Sequence, residues 1–121
     1  DNIMQNTNIQ EYQTWANCSV DVLNNQSNVQ LDTPATLVNT TLSLEFYNGD
    51  TPVTTGIAGT LSVAKQWKNG RIQAPVQYQL SGTDTIQISG LSSRVYLSLS
   101  ALNGCDRIVV NSVQYINQTG S

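Results

Sequence analysis

Apolar and polar residues alternate along most of the chain. From residue 15 onward, Ala16, Cys18, Val20 and Val22 alternate with Trp15, Asn17, Ser19 and Asp21. Such a period of two marks a strand with one face buried. The same pattern recurs over 37–47, where Leu42, Leu44 and Phe46 oppose Thr41, Ser43 and Glu45. Over 57–67, Leu61 and Val63 share a face with Ile57, Gly59, Lys65 and Trp67. Over 72–80, Ile72, Ala74, Val76, Tyr78 and Leu80 fall on one side, with Pro75 between them. A proline inside a strand places it at a sheet edge or at a bulge. Over 94–102, Val95, Leu97, Leu99 and Ala101 face away from Tyr96, Ser98, Ser100 and Leu102. Shorter runs at 29–31 and 85–89 read as brief strands, the second holding Ile86 and Ile88. In the last run, 107–116, the alternation slips at Asn111-Ser112, which predicts a bulge there.

Turn chemistry separates these runs. Tyr47-Asn48-Gly49-Asp50, Ser81-Gly82-Thr83-Asp84 and Asn103-Gly104 each combine residues that tolerate positive φ. The stretch 24–35 reads as a loop ending in Asp32-Thr33-Pro34, and Gly90 with Ser92-Ser93 breaks the run before Arg94. Lys68-Asn69-Gly70-Arg71 is the sharpest signal, since Asn-Gly between alternating runs predicts a two-residue type I′ hairpin. No segment carries a helical period. The expectation is therefore an all-β chain: one β-sandwich over 15–116, jelly-roll or immunoglobulin-like, with seven to eight antiparallel strands. Residues 1–14 are polar and aperiodic and read as an N-terminal arm, with Ile3, Met4, Ile9 and Tyr12 as its only anchors. Residues 117–121 read as a C-terminal tail.

Composition narrows the function classes. The chain has 121 residues, enough for one core, and 39% of them are hydrophobic. Only 11% are charged, whereas Asn, Gln, Ser and Thr supply 50 of the 121. Neutral amides and hydroxyls therefore hydrate the surface. Histidine is absent, which removes His-based triads, His-ligated zinc and a His pH switch. The net charge of −3 comes without a basic stripe, so no nucleic-acid partner is expected. No apolar run approaches the ~20 residues of a membrane helix, and no membrane insertion is expected. No signal peptide is visible, and a start at Asp1 suggests a processed or trimmed chain.

Candidate chemistry is sparse. Asp50 and Asp84 sit in predicted turns and could share one end of a sandwich, yet neither turn has the ligand spacing of a calcium loop. Lys65 and Lys68 flank an exposed hairpin, where a lysine keeps its proton and cannot serve as a base for a serine. The chain is expected to be no enzyme and to need no cofactor or metal. Cys18 and Cys105 are a disulfide candidate whose closed loop would stabilise by roughly 4–5 kcal/mol; two separate thiols are the alternative. Four Asn-X-Ser/Thr sequons, at Asn17, Asn25, Asn39 and Asn117, match roughly the three that chance supplies in so Asn-rich a chain. Glycan-binding modules stack sugars on exposed aromatic rings and hydrogen-bond their hydroxyls with amides. Trp67 and Tyr47, with Asn48, Asn69 and Arg71, are the candidate ligand-binding residues; Trp15 and Trp67 plugging the ends of the core is the structural alternative.

The segments YQTWANCSVDV (12–22), AGTLSVAKQW (58–67) and TDTIQISGLSSRVYLSLSALNG (83–104) resemble the small β-sandwich surface proteins on the virions of tailed bacteriophages. The last is the most similar, with its Gly-broken short strand, an arginine and then an alternating strand. The resemblance spans roughly residues 12–116. It implies a capsid-decoration, penton, fibre or tail role and carries over no catalytic residue. The expectation is thus a non-enzymatic structural protein of an external assembly, located on a virion or extracellular surface and bound to copies of itself or other subunits. A carbohydrate- or receptor-binding module that meets a surface glycan is one alternative. A strand-exchanged pilin subunit is another, although residues 1–14 lack the alternation of a donor strand.

Overall fold

The computed structural model describes residues 10–33, 40–67, 69–88 and 94–119, and of 10–17, 40 and 113–119 the backbone alone. Nine strands form: β1 Gln10–Leu23, β2 Val29–Asp32, β3 Thr40–Asn48, β4 Thr51–Val53, β5 Ala58–Gln66, β6 Val76–Gln79, β7 Thr85–Ile88, β8 Arg94–Asn103 and β9 Arg107–Thr119. Residues 1–9 of the expected arm, residues 34–39 (with Pro34 and Asn39), Lys68, and the break at Gly90 and Ser92-Ser93 lie outside the described residues. Every pairing is antiparallel. One sheet runs β1-β9-β3, with β7 and β4 sharing the far edge of β3; the other runs β2-β8-β5-β6. The chain passes between the sheets at most steps, so β1-β9-β3-β7 faces β2-β8-β5-β6. That interleaving is the jelly-roll order rather than the immunoglobulin one, with β4 as an added three-residue strand.

The core is what the alternation predicts. Val22, Leu42, Leu44, Phe46, Ile108 and Val110 point inward from the first sheet. Leu31, Leu61, Val63, Val95, Leu97 and Leu99 meet them from the second. Burying each such side chain contributes about 1.5–3 kcal/mol, which offsets the cost of ordering the strands. Ile57, Leu80, Ile86, Ile88 and Leu102 complete the cluster.

Four local expectations change. The bulge lies not in β9 but in β1, between Trp15 and Cys18, where pairing moves from Gln114 to Ser112. The slip at Asn111-Ser112 is instead a polar residue at a core position. Ser112 is 1% exposed, and its hydroxyl donates to the Asp32 carbonyl at 3.1 Å, with the Cys18 carbonyl at 3.5 Å. The Asn69-Gly70 hairpin is not a two-residue type I′ turn. Gly70 N–H donates to the Trp67 carbonyl at 2.9 Å and Trp67 N–H to that of Arg71 at 2.8 Å, closing a three-residue loop. Gly70 takes positive φ, at 89°. Asn69 spends its side-chain oxygen on the Arg71 N–H at 2.9 Å, a local side-chain to backbone bond across the loop. The 72–80 run does not bury one continuous face. Ile72 is 54% and Val76 49% exposed, because pairing with β5 lapses at 74–75 around Pro75 and β6 lies at the sheet edge. A second bulge, absent from the alternation, sits in β8: between the pairs Ala58–Asn103 and Thr60–Ser100, β8 spends one extra residue. Ala101 turns outward at φ 57° and Leu102 turns in. A left-handed alanine costs about 1–2 kcal/mol relative to a right-handed conformer. Ala101→Gly is expected to stabilise the fold by roughly 0.5–1 kcal/mol in urea denaturation, and Ala101→Val to destabilise it.

The expected arm and tail are partly strand. Residues 10–14 pair with 115–119 of the same chain, from Thr14 opposite Tyr115 to Gln10 opposite Thr119. β3 reaches only Gln114. Among the described residues, those five pairs form a two-stranded ribbon with no third strand. The Ser112–Asp32 hydrogen bond ties the last turn of the second sheet to the level of Ser112. The five β9 residues of the ribbon, 115–119, carry it roughly 17 Å beyond the last described pair of β3 at ~3.3 Å per residue.

Candidate functional site

The sandwich has two distinct ends. At the turn end, β8 stops at Asn103 opposite Ala58, and after the three residues 104–106 β9 starts at Arg107 opposite Tyr47. At the hairpin end, Gln66 lies opposite Arg94 and the chain turns through 67–71. The eight steps of β5 between Ala58 and Gln66 separate them by about 26 Å.

This divides the candidate ligand-binding residues. Trp67, Asn69 and Arg71 lie at the hairpin end; Tyr47 and Asn48 lie at the turn end. Trp67 is half-buried, with the Lys65 ammonium 4.4 Å from its ring centroid. Gln66 Nε2 donates to the Gly70 carbonyl at 3.0 Å, and Arg71 is exposed. The Tyr47 ring carries the Arg107 guanidinium 4.8 Å from its centroid, and its hydroxyl donates to Glu45 Oε1 at 3.3 Å. Asn48 Nδ2 donates to the Gly104 carbonyl at 3.5 Å. A cation over each ring occupies one of the faces on which a sugar would stack.

Arg107 is the hub of the turn end. Its Nη2 donates to the Gly49 carbonyl at 2.9 Å, and its Nη1 meets Asp21 Oδ2 at 3.2 Å. Asp106 Oδ2 accepts from Gly49 N–H at 3.0 Å, while Asp106 N–H donates to the Tyr47 carbonyl at 3.0 Å. Tyr47, Asn48, Arg107 and Asp106 thus close the β3–β4 turn onto the β8–β9 connection. The alternation gave no sign of this cluster, because Arg107 and Asp106 lie almost sixty residues from the turn they hold.

Two open depressions of about 390 and 410 Å³ flank the gap between β4 and β7 on the edge of β3. They share Phe46, Thr54 and Asp84, and Glu45 lines the larger. Leu44 N–H donates to the Asp84 carbonyl at 2.9 Å across that gap. Asp84 and Asp50 do share one end, as their turns suggested. Glu45 and Asp84 are both exposed. Among the described residues, no three His, Cys, Asp or Glu side chains gather as a metal site.

Both cysteines are free thiols. Cys18 lies opposite Ser112, whereas Cys105 precedes β9 at the turn end. The five steps from Arg107 to Ser112 alone span about 17 Å, against the ~5.5 Å between Cα atoms that a disulfide needs. The candidate bond therefore does not form in this fold. Burial pushes the Cys105 thiol above its usual value; a backbone hydrogen bond with Arg107 opposes this, and the Asp106 carboxylate adds to the rise.

Among the described residues no helix is long and apolar enough to cross a membrane. Comparison with protein-family models, with characterised proteins and with solved structures found no match.

Proposed function

We propose that this chain is a non-enzymatic structural subunit of an external assembly, and in its most specific form a surface component (decoration, fibre or tail) of a phage virion. The observation that carries this reading is the β1–β9 ribbon. A two-stranded ribbon is marginal by itself in water and gains stability when another surface packs on it. Among the described residues β1 also forms a sheet edge of 14 residues, whereas β2, β4, β6 and β7 at the other edges have only three or four. Proteins that remain monomeric keep edges short or cover them, because unpaired backbone groups recruit strands from other chains. β1 contains neither proline nor lysine. The phage assignment adds the resemblance of segments 12–22, 58–67 and 83–104.

Two further points favour this reading over its alternatives. The five candidate glycan-binding residues divide between opposite ends of the sandwich, Trp67, Asn69 and Arg71 at one and Tyr47 and Asn48 at the other. Residues 10–14 pair with β9 of their own chain, where a donated pilin strand would complete a neighbour. Light scattering on a sizing column tests the proposal. The full chain is expected to run as a defined oligomer, and a chain lacking residues 1–14, checked for folding by circular dichroism, as a monomer. A full chain that stays monomeric at high concentration would overturn it.

A further inference from the structure

The described charges are sorted by end. Asp50 sits in the β3–β4 turn, Asp84 in the 81–84 turn, Asp106 in the β8–β9 connection and Glu45 two residues before Tyr47. All four are exposed, and all belong to the turn end. Arg107 is also there, but its charge is matched by Asp21 at 3.2 Å. Five carboxylates against one guanidinium leave this end at a formal −4. At the hairpin end stand Lys65, Arg71 and Arg94, with Asp32 3.9 Å from Arg94. Three cations against one carboxylate leave this end at +2. Glu11 of the ribbon, whose backbone alone is described, is the eleventh charged residue among those described.

The two ends are about 26 Å apart, several times the ~8 Å over which charges interact at physiological salt. Their attraction therefore does nothing within one molecule. It acts only where the turn end of one copy meets the hairpin end of another. Two turn ends would repel, so a two-fold pairing through those ends is disfavoured, and a head-to-tail contact satisfies both. The β1–β9 ribbon leaves the sandwich from the hairpin end as well. A turn end seated there would lie beside it and pack on a ribbon that has no third strand among the described residues.

We infer that copies of this chain associate head to tail, the acidic turn end of one seated on the basic hairpin end of the next, beside its projecting ribbon. This rests on the assembly reading above and names the contact. A head-to-tail contact is heterologous: it closes into a ring where the rotation permits and otherwise extends as a filament.

The test uses the full chain and two charge-reversed forms, each checked for folding by circular dichroism. One carries Lys65→Glu and Arg71→Glu, which takes the hairpin end to −2. The other carries Glu45→Lys, Asp50→Lys and Asp84→Lys, which takes the turn end to +2. By light scattering, each form alone is expected to need a roughly tenfold or greater rise in concentration to associate. An equimolar mixture is expected to regain association, since the reversed turn end fits the reversed hairpin end. The unaltered chain is expected to dissociate as salt rises from roughly 0.02 to 0.5 M, and this carries the test if a variant does not fold. An oligomer indifferent to both salt and reversal would overturn the head-to-tail contact and leave the assembly reading standing. A full chain that is monomeric even at low salt would overturn both.

Discussion

Gly104→Ala is expected to destabilise the fold by about 3 kcal/mol or more, read as a lower urea midpoint at an unchanged slope. Gly104 has φ 91°, a conformation that side-chain-bearing residues avoid. A Cβ there would strike the carbonyl oxygen of Gly56 and stand 3.2 Å from Ile57 Cα. Those neighbours are backbone, so no side chain can swing aside, and Ile57 is anchored in the core. The collision must be relieved by moving the 104–106 connection or the 54–57 loop. The first carries Asp106, which holds Gly49, and leads into Arg107, which holds Tyr47 and Asp21. Gly82→Ala separates the clash from the backbone preference. Gly82 has φ 72° but nothing within 4 Å of a Cβ, so its substitution is expected to cost only about 1 kcal/mol. Equal losses at the two sites would mean that the close approach of Gly104 to Gly56 contributes nothing.

The core was legible because burial on one face of a strand imposes a period of two, and period is a local property. Leu42, Leu44 and Phe46, or Val95, Leu97 and Leu99, could be placed without knowing their partners. The pairing of strands was not legible in the same way. β1 lies beside β9 and β2 beside β8, contacts between residues about 60 to 110 positions apart that leave no periodic trace. β4 escaped because three residues, one of them Pro52, are too few to alternate. Ala101 and Leu102 broke the pattern for a related reason: a bulge resets the alternation inside what reads as one run. Ser112 misled in the opposite direction, since a serine satisfied by the Asp32 carbonyl can occupy an inward position without any change of register.

The candidate site shows the same division. Trp67 and Tyr47 both stand beside turns, but linear order does not say which turns share an end. That follows only from the crossings between sheets. The segregation of charge is likewise invisible in a net charge of −3, because it depends on Asp84 of one turn and Asp106 of another being folded to the same end while Arg71 is folded to the opposite one.

Leu97→Ala is the second large effect, expected at about 2–5 kcal/mol. Leu97 is fully buried on β8, between Val29 of β2 and Val63 of β5, so its side chain sits at the centre of the second sheet facing the first. Removing its three outer carbons loses their transfer free energy and leaves a cavity that strands paired on both sides cannot collapse to fill. Against a total stability of ~5–15 kcal/mol for a domain of this size, the loss is a large fraction. Leu23, 46% exposed at the end of β1, is the comparison: Leu23→Ala is expected to cost less than about 1 kcal/mol. Both sheets share one cluster, so the Leu97 loss should move every probe of unfolding together: the fluorescence of Trp67, at the end of β5, and the far-ultraviolet dichroism of the whole backbone. A midpoint that shifts for Trp67 fluorescence alone would mean that the second sheet can come apart without the first, contrary to a single core.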